Sequence, residues 1–157
     1  MKQPNSKKCF VCGLENTYGL HIHFYEESPG EVCASVTLPD QYQGYPGVVH
    51  GGIVAALLDE AAGRAHMGGD PPRFLYTAKL EIQYRKNTPV GQPLKLVGKA
   101  GKSRGRTAMS KSELYDQDGT LLAEAEALLV DIPEKVISNV NLEEIGWKVY
   151  QDEGKYD

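Results

Sequence analysis

The run His50-Gly51-Gly52-Ile53-Val54-Ala55-Ala56-Leu57-Leu58-Asp59-Glu60-Ala61-Ala62 constrains this chain more than any other stretch. It is rich in Ala and Leu, continues to about Met67 and is stopped by Gly68-Gly69-Asp70-Pro71-Pro72, which predicts one helix of about four to five turns. Such a helix is apolar nearly all round, so it has to be buried on most sides rather than laid on a surface. The rest of the sequence must supply the cover.

That cover reads as strand. Leu20, Ile22 and Phe24 alternate with His21, His23 and Tyr25, and Val32 to Leu38 follows the turn at Ser28-Pro29-Gly30, which predicts a hairpin. The stretch Gln41 to Val49, with Gly44, Pro46 and Gly47, is a loop leading into the helix. Beyond it, Tyr76, Ala78, Leu80, Ile82 and Tyr84 alternate with Thr77, Lys79, Glu81, Gln83 and Arg85, a long strand with the first set on one face. Leu94 to Ser103, Arg106 to Tyr115 and Leu121 to Asp131, separated by turn signals at Arg104-Gly105 and Asp116 to Gly119, form a meander. Ala123, Ala125 and Ala127 make one face of its last strand small enough for a helix to lie close. No βαβ alternation is present, so the expected class is α+β, an antiparallel sheet of about five to six strands wrapped around a central helix.

At 157 residues the chain suits a single domain. Residues 1–18, with Pro4, Asn5, Gly13 and Asn16, read as an irregular lead-in, and 141–157 as a tail or short helix carrying Leu142, Ile145 and Trp147 to Val149. With 41% AVILMFWYC and 24% charged residues, disorder and coiled coil are excluded. No apolar run approaches the roughly 18 residues of a membrane span and the N-terminus is polar, so no membrane partner and a cytoplasmic location are expected. Cys9, Cys12 and Cys33 are too few for a disulfide scaffold and are expected to be free thiols. The net charge of -4 argues against nucleic acid as a partner. It conceals an asymmetry: between Ile82 and Ser112 there is no Asp or Glu, and Arg85, Lys86, Lys95, Lys99, Lys102, Arg104, Arg106 and Lys111 predict a local anion-attracting surface.

Asp59 is the residue this helix has to explain, because a carboxylate in a buried apolar helix is costly unless paired or used. Its face carries Gly52, Ala55, Ala56, Ala62 and Gly63, all small, so the carboxylate looks across a shallow trough. Glu60 has Arg64 four residues on and reads as a helix-surface ion pair. Gly51 and Gly52 open the helix, where unpaired N–H groups and the positive dipole end can hold an oxygen that gains negative charge. That oxyanion site, with a carboxylate about two turns on, suits hydrolysis of an ester-like carbonyl.

In its His50-Gly51-Gly52 with Asp59 nine positions after His50, the chain resembles the hotdog-fold acyl-coenzyme A thioesterases, particularly the phenylacetate-pathway and 4-hydroxybenzoyl-type branch. The resemblance runs from about Cys9 to Val130 and includes Cys9-Phe10-Val11-Cys12-Gly13, Gln43-Gly44-Tyr45-Pro46-Gly47 and Tyr84-Arg85-Lys86-Asn87-Thr88-Pro89-Val90-Gly91. It implies that the Gly51 amide polarises the thioester carbonyl, that Asp59 attacks it or activates water, and that Thr77, supplied by a partner subunit, places the water. It further implies an acyl-coenzyme A substrate, no cofactor, and a homo-oligomer, dimer or tetramer. An Asn or Gln often stands six before the family's His; here that position is Gly44, and Gln43 is the nearest substitute donor. His50 and Gly52 are expected to line the site, and Lys102, Arg104 and Arg106 to meet the coenzyme A phosphates.

Rival readings remain. A hotdog hydratase or dehydratase would carry a histidine five residues after its aspartate, where this chain has Arg64. A non-catalytic acyl-coenzyme A-binding module gains nothing from an unpaired buried acid at Asp59. Cys9, Cys12, His21 and His23 could supply four zinc ligands, but His-x-His on one strand and an isolated Cys-x-x-Cys are common without metal, and no metal is expected.

Overall fold

The structure, a computed structural model, describes residues 1–152. Among the described residues six strands form one antiparallel sheet: β1 (Tyr25–Ser28), β2 (Glu31–Thr37), β3 (Leu75–Tyr84), β4 (Pro93–Arg104), β5 (Thr107–Asp116) and β6 (Leu121–Asp131). They lie in the order β1-β2-β4-β5-β6-β3, leaving β1 and β3 as edges. Helix α1 (Gly51–Arg64) packs across β2 to β6 and turns Val54, Leu57, Leu58, Ala61 and Ala62 into the core. This is the α+β arrangement the sequence predicts.

Small residues decide how close the helix comes. Ala123, Ala125 and Ala127 of β6 are buried beneath it, as their spacing suggests. Gly98 of β4 is the tightest point: a Cβ there would sit 2.1 Å from the Ala61 carbonyl oxygen. The helix backbone therefore rests directly on the strand, which only glycine permits.

The long strand departs from strict alternation. Opposite β6, Thr77 pairs with Leu129 and Lys79 with Leu128, so Ala78 is an extra residue, a β-bulge. The bulge changes the parity: Leu75, Leu80 and Ile82 pack against the core and Thr77, though exposed, turns to the helix, while Tyr76 and Ala78 point the other way. The unbroken alternation that the sequence predicts, with Tyr76 and Ala78 on the face of Leu80 and Ile82, is corrected by that single residue.

The first hairpin is shorter than its alternation suggests, beginning at Tyr25 rather than Leu20. The amides of Leu20 and Ile22 donate to the carbonyls of Phe10 and Val11 at 2.8 Å, and His21 has φ 55°, so this stretch pairs with the lead-in and not with β2. The lead-in is irregular, as expected, and firmly packed. Asn5 is buried and its side-chain amide donates to Cys12 O and Ile22 O at 2.7 and 2.8 Å. Helix α1 stops at Arg64, three residues before the predicted end, and Ala65 to Met67 finish as a turn.

A four-residue helix, α2 (Glu134–Ile137), which the sequence pattern did not reveal, follows Pro133. In the tail, Trp147 meets Phe74 edge-on with ring centroids 5.5 Å apart, and Lys148 bonds Asn5 through the backbone. The last part of the expected tail, 153–157, lies outside the described residues. No helix among the described residues is long and apolar enough to cross a membrane.

Candidate active site

Asp59 is half-buried midway along α1, and the Thr77 hydroxyl donates to its Oδ1 at 2.6 Å. The bulge at Ala78 makes this contact possible, because without it Thr77 would point away from the helix. Thr77 and Asp59 are paired within one chain, so carboxylate and hydroxyl come from the same copy. Beside Asp59 the surface is open: a Cβ on Gly63 would touch nothing within 4 Å. Gly51, Ala55, Ala56 and Gly63 are only partly covered and Gly52 is exposed, so the expected helix buried on most sides keeps one uncovered stripe of small residues.

At the helix start His50 is the cap. Its Nδ1 accepts from the Gly52 amide at 2.9 Å and its carbonyl accepts from Ile53 at 2.9 Å. With Nδ1 accepting, the ring proton sits on Nε2, and the imidazole holds loop backbone to helix. The Gly52 amide is thereby used, whereas the Gly51 amide meets no acceptor among the described residues. Gly51 borders a hollow of about 580 Å³, with His50, Gly44, Tyr45, Tyr84, Arg85 and Lys86 among its walls. One donor at the dipole end of a 14-residue helix, facing a cavity, is a place for an oxygen carrying negative charge.

Residues that the sequence did not single out complete this end. The Tyr84 hydroxyl donates to the Gly51 carbonyl at 2.7 Å and fixes the first turn against β3. Arg85 and Lys86, seen in sequence only as part of a basic stretch, stand at the hollow itself. They follow Tyr84, which the alternation of Leu80, Ile82 and Tyr84 already puts on the inner face of β3, but their place at the helix start depends on how the strand crosses it.

Two expected contacts fall elsewhere. Gln43 accepts from the Gly47 amide at 3.2 Å through Oε1, closing its own loop, and does not line the hollow. Gly44 lies directly against His50, where a Cβ would come within 3.3 Å of its Cα, so the loop backbone occupies the place a longer side chain would need. Lys102, Arg104 and Arg106 are exposed around the β4–β5 turn. That turn is near the other end of α1, where His66 Nε2 meets Met109 O at 2.8 Å, so one chain does not gather the trio and Gly51.

Glu60 pairs with Arg64 as predicted, Oε1 to Nε at 2.9 Å, but Arg64 is 1% exposed and not on the helix surface. Its guanidinium sits between the rings of Phe24 and Trp147, 4.9 and 5.3 Å from their centroids, and donates to Pro4 O at 2.6 Å. The offered zinc set does not assemble. Cys9 and Cys12 are together, but His23 Nδ1 faces Asn5 Oδ1 at 3.0 Å and His21 faces the Asn16 carbonyl.

Residues 46–123 match the family described as the thioesterase superfamily. Acyl-coenzyme A thioesterase THEM4 of Rattus norvegicus is 27% identical over 140 residues, 87% of this chain and 60% of its own. The Bos taurus THEM4 is 30% identical over 129 residues, 80% of this chain and 52% of its own, so the chain spans roughly half the length of these relatives. A crystal structure of a thioesterase superfamily protein, 35% identical, superposes with a TM-score of 0.73 over 79% of this chain and 63% of that one. A Streptococcus mutans protein bound to acetyl CoA, 20% identical, shares the fold at a TM-score of 0.64, over 71% of this chain and 88% of that one.

Proposed function

Since the chain belongs to the thioesterase superfamily and has its hotdog fold, we propose that it hydrolyses an acyl-coenzyme A thioester to free acid and coenzyme A, in a site shared by two copies. The observation that carries this reading is the Asp59–Thr77 pair on the uncovered stripe of a helix whose first amide is unclaimed. The Gly51 amide polarises the thioester carbonyl and stabilises the oxyanion. Thr77, by donating to Oδ1, leaves the other oxygen of Asp59 to draw a proton from the attacking water. Collapse of the tetrahedral intermediate expels the coenzyme A thiolate, which takes up that proton.

One helix cannot bring both groups to one carbonyl. Eight residues at 1.5 Å separate Gly51 and Asp59 by roughly 12 Å, and the Gly51 N–H points away from Asp59, beyond the helix start. Two antiparallel helices can. Setting Gly51 against the partner's Asp59 puts the twofold beside Ala55, on the small stripe that allows close approach. The exposed edge of β3 next to this stripe gives the second copy a strand to pair with. The same antiparallel arrangement carries the partner's β4–β5 turn toward this chain's helix start. There the partner's Lys102, Arg104 and Arg106 join Arg85 and Lys86 around the coenzyme A phosphates.

The test is thiol release from short, medium and aryl acyl-coenzyme A thioesters by the unaltered chain and by Asp59→Asn, with oligomeric state measured for both. Turnover of one acyl class that the substitution abolishes supports the reading. Turnover indifferent to Asp59, or none with any acyl group, refutes it and leaves a non-catalytic binding module.

A further inference from the structure

We propose that Cys9 and Cys12 form a reversible dithiol–disulfide site that small anionic disulfides reach through a hollow beside the lead-in. The inference is independent of the chemistry at Asp59. The two sulfur atoms and a Glu60 carboxylate oxygen all lie within 4.8 Å of one another. The Cys12 amide points at Cys9 Sγ at 3.4 Å, and the Gly13 amide closes the turn on Cys9 O at 2.8 Å. The turn is held in this form, since a Cβ on Gly13 would sit 2.3 Å from that same carbonyl oxygen.

The two thiols differ in access, as attacking and resolving sulfurs must. Cys12 is 2% exposed, with Ser6 Oγ 3.7 Å from its sulfur. Cys9 is part-exposed and lines a hollow of about 450 Å³ together with Lys7, Lys8, Glu144 and Ile145. The two lysines favour an anionic reagent of the glutathione or coenzyme A disulfide type. The neighbouring Cys9 thiol, then Arg64, draws Cys12 down to about 6, while Cys9, whose thiol donates to Glu60 Oε2 at 3.9 Å, is raised by Cys12, by burial and by that carboxylate. Attack by Cys9 therefore quickens as pH rises, while Cys12 is readily available as the resolving thiolate.

The exchange balances in two steps. Cys9 gives its proton to the solvent, and its thiolate attacks one sulfur of the small disulfide, forming a mixed disulfide and releasing one thiolate. Cys12, as its thiolate, then attacks Cys9 Sγ, breaking the bond to the second small thiol, which leaves as thiolate. Two electrons move from the protein pair to the small disulfide. A metal ion fits the cluster less well. Only three donors converge, and the Glu60 carboxylate is already bound by the buried guanidinium of Arg64.

The experiment places the full chain in glutathione buffers from fully reduced to fully oxidised, followed by alkylation and peptide mass spectrometry. The expected result is reversible loss of two of the three alkylatable thiols, joined as Cys9–Cys12. Cys33, which burial and Glu27 push up to about 11, stays alkylatable. Cys12→Ser is expected to stop at a Cys9–glutathione mixed disulfide, and Cys9→Ser to leave Cys12 unreacted. The proposal is overturned if the unaltered chain forms no Cys9–Cys12 bond in any buffer, or if the reduced chain holds stoichiometric zinc that shields both thiols.

Discussion

The Thr77 hydroxyl holds one oxygen of the Asp59 carboxylate at 2.6 Å, and in the proposed mechanism the other oxygen acts as base. Replacing the carboxylate by the amide of Asn removes the base, and hydrolysis is expected to fall by about a hundred- to ten-thousandfold in kcat. Thr77→Val keeps the shape and deletes the donor; the loss expected is about ten- to a hundredfold, the worth of a hydrogen bond to a charged group. Equal rates for Thr77→Val and the unaltered chain would remove Thr77 from the proposed mechanism. Asp59 and Gly51 could be read in sequence because a lone acid in an apolar helix and a glycine pair at its start are both costly without a use. Tyr84 could not, since its bond to the Gly51 carbonyl depends on how β3 crosses the helix start. Gln43 misled because its position near His50 in sequence says nothing of its turn back to Gly47.

Among the elements, β3 and β4 set the helix, and each does so through one residue. At Gly98 even a methyl group would collide with the Ala61 carbonyl, so Gly98→Val is expected to cost at least the 1 to 3 kcal/mol, roughly, of an overpacked core, visible as a lower Tm. An unchanged Tm would mean that helix and strand are not in direct contact. The lead-in contributes a pH dependence. Burial, then Lys2, lowers His23 below its ordinary value of 6.5, so the unfolded chain binds the proton more readily than the folded one. Stability should therefore fall as pH drops through the ordinary histidine range, and His23→Gln should flatten that slope in Tm scans between about pH 5 and pH 7.5. The element types were legible from periodicity because apolar residues recur at helical and strand spacing. The bulge at Ala78 was not, since nothing in the local sequence marks an unpaired residue whose partner strand lies some fifty positions away. The contribution of Leu20 and Ile22 to the lead-in was hidden for the same reason: alternation shows that a stretch is extended but not what it pairs with.

At the scale of the molecule, the single chain has an open sheet edge at β3, a half-covered helix stripe, and the two groups of the proposed mechanism roughly 12 Å apart along α1. A second copy related by a twofold answers all three. Light scattering is expected to find a dimer or a multiple of one, and a strict monomer with full activity would contradict the shared site. The most direct measurement mixes two inactive chains. Gly51→Pro deletes the proposed oxyanion donor at the first helical position, where proline is well tolerated and where His50, at ψ 135°, already has the backbone that precedes proline. Asp59→Asn deletes the base in the other chain. If each site takes Gly51 from one copy and Asp59 from the other, random exchange restores one good site in every hybrid dimer, about a quarter of the unaltered activity. No recovery from mixed dimers shown to have formed would contradict the shared site.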